Sequence, residues 1–231
     1  GNRAMSSRSG AADVLEALGV RLVADPMAIQ RSLMRVGVAF LFAQNHHPAM
    51  RHVAGPRKAL GKRTIFNLLG PLCNPAAVKR QLVGVFDARF VEPMALALRA
   101  LGAERAVVVH GAGGWDEISL AGSNQMTTAE GAGTQTDAPS AADFGLPAQD
   151  NGAVQGGDAD HNARALRSLL HNRDPHTPYA AVVIANAAAA LFAAGRCSSL
   201  LEGAAMARHA LISGAAADKL DALIAESQRP A

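Results

Sequence analysis

The sequence predicts an α/β protein with a mainly parallel central sheet, flanking helices and a helical C-terminal part. Two apolar runs, residues 81–86 and 106–110, have the length and composition of buried strands. A helical pattern over residues 93–101, closed by Gly102, separates them, and a strand–helix–strand order favours parallel pairing. Helical periodicity returns near the C-terminus at 162–170, 179–194 and 198–213, the last continuing toward Leu223.

The first sixty residues predict mostly helical structure. Helical patterns occur at 11–18, 25–36 and 47–60. Asp25 is expected to cap the second of these helices and Pro26 to occupy its first turn. Pro56 should end or bend the third, because proline cannot donate the helical hydrogen bond. Residues 38–42 form a short apolar run of β type.

The middle of the chain has less regular patterns. Residues 64–75 carry glycine, proline and asparagine too often for a regular element. Residues 118–121 and 124–128 are predicted as shorter, more exposed strands. Residues 129–161, rich in glycine, alanine, aspartate and proline, form either a long loop or a set of short strands.

The composition is that of a folded globular protein rather than a polymer-binding one. Hydrophobic residues make up 49% of the chain and charged residues 18%. The net charge of +3 is too small to indicate nucleic acid or an anionic membrane as a partner. The local basic cluster, Arg57-Lys58 with Lys62-Arg63, suits a small anionic substrate or, equally well, a solvated helix face.

The cysteines and apolar stretches bound the cellular setting. Cys73 and Cys197 are far apart and lack metal-ligand spacing, so neither a disulfide framework nor a zinc site is expected. A reduced, cytoplasmic compartment fits best. The apolar residues 179–194 are rich in alanine and contain Asn186, which favours a packed helix over a membrane span.

Residues 2–13 have the pattern of a phosphate-binding loop. Ser6, Ser7, Ser9 and Gly10 come directly before a predicted helix, and two arginines lie among them. Backbone N–H groups at a helix start, surrounded by small hydroxyl side chains, bind phosphate well. An ordinary capped helix after a loop has the same pattern, and these residues alone leave both interpretations open.

Asp116 and Glu117 are candidate metal ligands. They follow the predicted strand 106–110 and a glycine-rich turn, and ligands of α/β sheets bind beyond the carboxyl ends of strands. Mg²⁺ prefers oxygen ligands and is usually held by one or two carboxylates together with substrate phosphates. A solvated acidic loop is the alternative interpretation, because Asp-Glu pairs are common.

Three further features are candidates for catalysis or ligand binding. His47, in His46-His47-Pro48, is a candidate catalytic residue, although a lone histidine is more often structural. Arg57 has the guanidinium fork that bonds both oxygens of a carboxylate, although a surface arginine is the commoner case. Residues 64–75 suit a rigid turn that brings backbone against a ligand, or else a structural connector.

In this order and spacing the motifs resemble the anthranilate phosphoribosyltransferases. The matching blocks are Gly1-Asn2-Arg3-Ala4, Ser6-Ser7-Arg8-Ser9-Gly10, Ala12-Asp13-Val14-Leu15-Glu16-Ala17-Leu18-Gly19, His47-Pro48-Ala49-Met50, Arg57-Lys58, Arg63-Thr64-Ile65-Phe66-Asn67-Leu68-Leu69-Gly70-Pro71, Asn74-Pro75, and His110-Gly111 with Asp116-Glu117-Ile118-Ser119. Gly156-Gly157-Asp158-Ala159 and Asn186-Ala187-Ala188-Ala189-Ala190 extend the resemblance over almost the whole chain.

The resemblance implies transfer of a phosphoribosyl group from phosphoribosyl pyrophosphate to anthranilate, with release of pyrophosphate, in tryptophan biosynthesis. It implies Mg²⁺ held by Asp116 and Glu117, and no catalytic side chain, because the amine nucleophile is already neutral. The implied phosphoribosyl pyrophosphate site consists of Gly1, Asn2, Arg3, Ala4, Met5, Ser6, Ser7 and Ala11. The implied anthranilate site consists of Asn2, His47, Arg57, Gly70 and Pro71, with Arg57 on the carboxylate.

The chain departs from the family pattern at its start. Family members have an N-terminal helical region used for dimerisation, a Gly-Thr-Gly-Gly-Asp loop, an Asn-x-Ser-Thr segment and a Lys-His pair before Gly1. We therefore expect residues 1–231 to be the catalytic α/β domain of a cytoplasmic, homodimeric enzyme. As an isolated fragment, lacking half of the pyrophosphate site, it is expected to be inactive and poorly stable.

Three alternative functions remain. A pyrimidine nucleoside phosphorylase shares the fold in outline, but the context of Arg57 and the residues 67–71 favour anthranilate. A non-catalytic homologue that binds nucleic acid would need a basic stripe and would lose Arg57 or the acidic pair, and both are retained. An inactive gene remnant is not excluded by the sequence.

Overall fold

The computed structural model describes residues 1–4, 8–47, 51–60 and 64–230, without the side chains of residues 51, 54 and 56–58. The chain forms two compact units. The first unit comprises Gly1–Lys62, Gly156–Asp174 and Ala210–Ala231, and the second comprises Arg63–Gln155 and Pro175–His209.

Helices and strands follow one another in α/β order. The described helices are α1 (Ala11–Ala17), α2 (Pro26–Val36), α3 (Ala43–His46), α4 (Arg51–Leu60), α5 (Phe66–Leu72), α6 (Val91–Ala100), α7 (Ala159–Asn172), α8 (Pro178–Ala193), α9 (Leu200–Ser213) and α10 (Ala215–Ser227). The described strands are β1 (Arg80–Gly84), β2 (Arg105–His110), β3 (Gln125–Glu130) and β4 (Gly133–Asp137).

The first unit is built from amphipathic helices that bury one face each. Leu18, at the end of α1, packs with Ala163 of α7 and Leu220 of α10. The α2 helix begins as predicted, because the Asp25 carboxylate accepts hydrogen bonds from the N–H groups of Met27 and Ala28, each at 3.1 Å.

The second unit contains a four-stranded sheet in the order β1-β2-β3-β4. Parallel pairing of β1 and β2 places Val83 opposite Val108, and both pack against the α6 side chains Val91 and Leu98. Residues Ala106, Val107, Val108 and Val109 of β2 are all buried, with at most 1% exposed. Apolar burial on both faces of β2 explains why its sequence is continuously apolar.

The predicted α/β class is confirmed, but the sheet is mixed rather than mainly parallel. Among the described strands only β1 and β2 run parallel, while β3 is antiparallel to β2 and β4 is antiparallel to β3. A parallel return needs a crossover that usually contains a helix. Residues 111–124 contain no helix, and Gly131 (φ +55°) lies in the short turn between β3 and β4, so both connections reverse the chain.

Several predicted elements are corrected by the structure. Residues 38–42 are extended but form no strand, and the carbonyl of Val38 accepts a hydrogen bond from the Ser32 hydroxyl instead. Residues 64–75 contain the regular helix α5, which includes Pro71. Proline is tolerated there because it removes a single hydrogen bond near the end of the helix. The α4 helix also continues through Pro56.

The C-terminal helices are confirmed with one change. Gly214 (φ +85°) separates α9 from α10, so the predicted last helix is two helices. The α8 helix buries most of its alanines, as predicted for a packed helix, although Ala190 is exposed. Within the described residues, no helix is long and apolar enough to cross a membrane. Residues 129–161, left open by the sequence, contain β4 and two short three-ten helices.

Candidate functional site

The N-terminal loop, residues 1–4 and 8–10, folds back onto α1. One oxygen of the Asp13 carboxylate, Oδ2, accepts hydrogen bonds from the N–H groups of both Ala4 and Gly10, each at 2.9 Å. The Asn2 carbonyl accepts a further bond from the Ala12 N–H at 3.1 Å. Both ends of the loop are therefore fixed to the first turn of the helix. Met5, Ser6 and Ser7, predicted to bind substrate, lie outside the described residues.

Arg3 is paired within the protein. Its guanidinium donates to the Asp13 carboxylate at 3.1 Å and to both carboxylate oxygens of Glu16, and it lies 5.5 Å from the centre of the Phe42 ring. The Gly10 and Ala4 N–H groups, followed by Arg3, lower the pKa of Asp13. Arg3 therefore affects the loop in two ways: it pairs with Asp13, which bonds the loop N–H groups, and it carries a positive charge of its own.

The segment before His47 lies against the start of the chain. The Gly1 nitrogen donates to the Leu41 carbonyl, and the Ala43 N–H donates to the Gly1 carbonyl, each at 2.8 Å. A Cβ at Gly1 would overlap the end of the Phe40 ring, so a larger residue here requires the ring to shift. The His47 N–H donates to the Ala43 carbonyl at 3.0 Å. Two predicted site segments, around Asn2 and around His47, therefore lie together in the first unit.

Ser9 ties the N-terminal loop to the start of α7. Its hydroxyl donates to the Gly157 carbonyl at 3.2 Å and accepts from the Asn162 amide at 2.8 Å. The Asn162 side chain also accepts from the Gly157 N–H at 2.8 Å. This places the Gly156-Gly157-Asp158 motif beside the loop. The seven residues of α1 make a short helix, so its dipole adds little to any anion binding here.

The other anthranilate residues predicted from the sequence are less completely defined. Arg57 lies in α4 of the first unit, and its side chain is outside the described part of the chain. Gly70 and Pro71 belong to α5 of the second unit, in a helix rather than the predicted turn. Gly70 is exposed, and the space where a Cβ would point is open. The roles of all three residues stay predictions.

Asp116 and Glu117 lie beyond the carboxyl end of β2. The turn that leads to them uses Gly113 (φ +83°) and Gly114 (φ +86°), and the Gly111 N–H donates to the Trp115 carbonyl at 2.7 Å. Asp116 and Glu117 are each exposed as whole residues, while the carboxyl end of Glu117 is partly enclosed. Neither carboxylate makes a hydrogen bond or ion pair with another residue that the structure describes.

Two neighbouring carboxylates concentrate negative charge at this position, with no ion pair among the described residues. Partial burial of its carboxyl group, and then the neighbouring charge of Asp116, raise the pKa of Glu117. Burial, and then the charge of Glu117, raise the pKa of Tyr179. Two free carboxylates fit Mg²⁺, which takes oxygen ligands and completes its shell with phosphates and water. The described residues contain no cluster of three acidic, histidine or cysteine side chains.

The residues after this pair form no strand, which corrects the prediction for 118–121. Ile118, Ser119 and Leu120 are almost fully buried instead of exposed. Side-chain amides of Asn186 and Asn124 bond the backbone of this segment. Sequence reasoning assigned no role to these asparagines or to Asp13. Two sequence features could have indicated these roles: Asn186 is a lone amide in an alanine-rich helix, and Asp13 is an acid three residues after Gly10.

The fold and the site belong to a known class of proteins. The first unit contains a loop closed onto a short helix, and the second unit contains a carboxylate pair beyond the carboxyl end of β2. Residues 1–217 match the model of the glycosyl transferase family, a/b domain. The chain therefore belongs to this family.

The chain is similar to particular curated relatives over nearly its whole length. The chain is 50% identical over 228 residues to the anthranilate phosphoribosyltransferase of Azorhizobium caulinodans, and the match covers 99% of the chain and 66% of that relative. The corresponding enzyme of Rhodospirillum rubrum is 51% identical over 231 residues, covering 100% of the chain and 66% of the relative. The chain thus spans about two thirds of the length of these curated relatives.

Solved structures agree with the sequence relatives. The crystal structure of anthranilate phosphoribosyltransferase from Thermus thermophilus superposes with a TM-score of 0.91 at 44% identity, covering 99% of this chain and 68% of that one. The Saccharomyces cerevisiae enzyme in complex with PRPP and Mg superposes with a TM-score of 0.83 at 26% identity, covering 98% of this chain and 63% of that one.

Proposed function

We propose that the protein carrying this chain is an anthranilate phosphoribosyltransferase. It would join anthranilate to C1 of phosphoribosyl pyrophosphate and release pyrophosphate. The observation that carries this proposal is the 50% identity to a named anthranilate phosphoribosyltransferase over 99% of the chain. The loop closed by Asp13 and the free carboxylate pair supply the two kinds of group that a pyrophosphate substrate needs.

The N-terminal loop is proposed to bind the phosphoribosyl pyrophosphate. Asp13 bonds the N–H groups of both Ala4 and Gly10 and so holds the two ends of this loop, and backbone N–H groups in such loops suit phosphate oxygens. Because Asp13 and Glu16 pair with Arg3 and neutralise its charge, the loop N–H groups and hydroxyls are proposed to provide most of the attraction for the substrate phosphates. The proposed binding residues are Gly1, Asn2, Arg3, Ala4, Met5, Ser6, Ser7 and Ala11.

Anthranilate is proposed to bind through a carboxylate contact and an apolar channel. The guanidinium of Arg57 suits the planar carboxylate, because two parallel hydrogen bonds fix both its position and its orientation. The proposed binding residues are Asn2, His47, Arg57, Gly70 and Pro71. Of these, Asn2 and His47 lie on segments joined through the bonds of Gly1 with Leu41 and Ala43.

Asp116 and Glu117 are proposed to hold Mg²⁺, which would stabilise the negative charge that develops on the leaving pyrophosphate. In the reaction, the bond between C1 and the pyrophosphate oxygen breaks, the anthranilate nitrogen bonds to C1, and one amine proton passes to solvent. The amine is neutral before it attacks, so no strong general base is needed. The residues of the chain would contribute orientation of the two substrates, which is itself a large rate factor.

The setting of the enzyme is proposed on the same grounds. A homodimer in the cytoplasm, acting on small molecules rather than on nucleic acid or membranes, fits the family resemblance and the modest net charge of +3.

The proposal is tested with the protein that the gene encodes. Anthranilate fluorescence should decay only when phosphoribosyl pyrophosphate and Mg²⁺ are both present, and chelation of the metal should stop the decay. A nucleoside with inorganic phosphate should give no free base. Phosphorolysis of a pyrimidine nucleoside, or tight binding of nucleic acid without turnover, would contradict the assignment and favour the corresponding alternative.

A further inference from the structure

The carboxylate segment, residues 116–119, has no strand partner, although its second half is buried. Ile118 and Ser119 are each 0% exposed. Buried backbone N–H and C=O groups that lack water must find partners within the protein. In this segment the partners are the side chains of Asn124, five residues after Ser119, and Asn186, 68 residues after Ile118, so its position depends on these two amides.

Asn186 of α8 bonds both backbone groups of Ile118. The Ile118 N–H donates to the Asn186 carbonyl oxygen at 2.8 Å, and the Asn186 amide nitrogen donates to the Ile118 carbonyl at 3.0 Å. Asn124 does the same for the next residue, because the Ser119 N–H donates to its oxygen at 2.8 Å and its nitrogen donates to the Ser119 carbonyl at 3.0 Å. The side-chain amides of Asn186 and Asn124 thus make the backbone hydrogen bonds that a neighbouring strand would otherwise make.

Two glycines allow the backbone of the acidic residues to approach closely. A Cβ at Gly84, the last residue of β1, would overlap the carbonyl oxygen of Asp116. A Cβ at Gly111, directly after β2, would overlap the carbonyl oxygen of Glu117. Two close approaches to glycine and two pairs of amide hydrogen bonds therefore surround the four residues of the segment.

Asn186 is itself held in place. Its amide nitrogen also donates to the Val182 carbonyl, one turn earlier in the helix, at 3.0 Å. The helix neighbours Ala185, Ala188 and Ala189 are each 0% exposed. An amide in such an apolar helix is costly unless it is hydrogen-bonded. The bonds to Ile118 satisfy the hydrogen-bonding groups of the Asn186 amide. Because Glu117 directly precedes Ile118, these bonds also link the orientation of Asn186 to the position of Glu117.

We propose that Asn186 is a positioning residue that sets where the carboxylates of Asp116 and Glu117 lie, and through them the affinity for a divalent cation. This inference rests on the proposed metal site. Asn186 touches neither substrate nor metal in this assignment. Its effect passes through the backbone of Ile118, in the same way that outer groups orient the ligands of other metal sites.

Two readouts separate positioning from general stability. Binding of Mn²⁺ alone, followed by electron paramagnetic resonance of the free ion, reports the carboxylates without turnover. Amide exchange of Ile118 reports the bond itself. Asn186→Ala should weaken Mn²⁺ binding by roughly 10 to 100-fold, the effect typical of outer-ligand changes. It should also speed exchange at Ile118.

Thr127→Val is the matched control. It removes a buried side-chain hydrogen bond to Thr136 at 2.8 Å in the same unit, without a bond to the carboxylate segment. Mn²⁺ affinity should remain that of the unaltered protein. If Asn186→Ala does not fold, Asn186→Gln tests the same claim, because it keeps the amide but displaces it by one methylene. Weaker Mn²⁺ binding in Asn186→Gln with a folded spectrum supports the proposal.

The possible failures are distinguishable. If the unaltered protein binds Mn²⁺ and Glu117→Gln weakens it, the proposed metal site stands. Equal Mn²⁺ affinity of Asn186→Ala or Asn186→Gln in that case overturns the positioning role alone. If Glu117→Gln binds Mn²⁺ as tightly as the unaltered protein, the metal site and the role of Asn186 are both wrong.

Discussion

The Asp13 carboxylate accepts a hydrogen bond from the Gly10 N–H at 2.9 Å, and the same oxygen accepts one from the Ala4 N–H at 2.9 Å. One side chain on the first helix therefore draws together two residues that lie six positions apart in sequence. The loop between them contains the hydroxyl side chains proposed to bind phosphate. Asp13, which bonds the two ends of this loop, is not itself proposed to touch the substrate.

Asp13→Asn should weaken binding of phosphoribosyl pyrophosphate. The amide oxygen of asparagine still accepts the backbone N–H groups, but it has no charge to strengthen these bonds or to pair with Arg3. Loss of charge-assisted bonding should raise the dissociation constant roughly tenfold. Isothermal titration measures this change, and the affinity for anthranilate should not follow it.

Glu16→Gln is the matched control, because Glu16 also pairs with Arg3 but has no described bond to the loop N–H groups. It should bind phosphoribosyl pyrophosphate like the unaltered protein. An equal loss in Asp13→Asn and Glu16→Gln would show that the charge of Arg3, rather than loop closure, governs binding.

Acid should release the loop. The Gly10 and Ala4 N–H groups lower the pKa of Asp13 below its ordinary value of 3.8. A lowered folded-state pKa means that the ionised carboxylate stabilises the fold fully above the ordinary value, and that this contribution is lost as the pH falls through the lower one. The amide chemical shift of Gly10 in NMR spectra should therefore titrate with a midpoint below 3.8. A midpoint at or above the ordinary value would contradict loop closure by Asp13.

Gly84→Ala should destabilise the second unit. The added methyl group overlaps the backbone of Asp116, so either β1 or the carboxylate segment must move. Overpacking of this kind costs about 1–3 kcal/mol in the free energy of unfolding, which chemical denaturation measures. Gly133→Ala in β4 is the control, because its Cβ would lie 3.7 Å from the Glu130 carbonyl oxygen, an ordinary contact. Equal effects of both changes would disprove the close approach.

Arg105→Ala should lower stability without changing substrate affinity. The half-buried Arg105 guanidinium donates to the Phe192 carbonyl near the end of α8 at 2.9 Å and to the Glu130 carboxylate at 2.6 Å. Its removal should cost about 1.5–3 kcal/mol. Arg80→Ala, which removes a similar bond from a more exposed arginine to the Ala194 carbonyl, should cost less. A reversed order in thermal or denaturant unfolding would contradict this assignment.

Local patterns predicted the elements whose stabilising contacts are local. Asp25 and Pro26 identify the start of α2, and the apolar runs at 81–86 and 106–110 identify β1 and β2. Local patterns failed where a distant partner decides. Residues 118–121 have a strand-like sequence, yet the partner of Ile118 is Asn186, which is 68 positions away. No period in the sequence reveals such a bond.

The site was predictable in part for the same reason. Residue types and their order predict the Asp116–Glu117 pair and the loop before α1 as candidate binding groups, and these roles stay predictions. The mechanism of loop closure is visible only in three dimensions, where the oxygen of Asp13 meets both Ala4 and Gly10. The separate roles of the anthranilate residues remain predictions.

Arg57→Ala should separate the two substrates. Loss of a charge-assisted, two-point contact to the anthranilate carboxylate should weaken anthranilate binding by roughly 10 to 150-fold. The affinity for phosphoribosyl pyrophosphate should stay close to that of the unaltered protein. Lys58→Ala, one position away, removes a charge of the same sign and should leave anthranilate binding intact. Parallel losses for both substrates in Arg57→Ala would contradict its role.

The central claim is the transfer of a phosphoribosyl group to anthranilate with the help of the Asp116–Glu117 pair. Mass spectrometry of the reaction products, with pyrophosphate quantified in the same sample, tests it most directly. The account predicts equal amounts of N-(5-phosphoribosyl)anthranilate and pyrophosphate, formed only with Mg²⁺ and sharply reduced in Glu117→Gln. Pyrophosphate without the phosphoribosylated product, or full activity of Glu117→Gln, would contradict it.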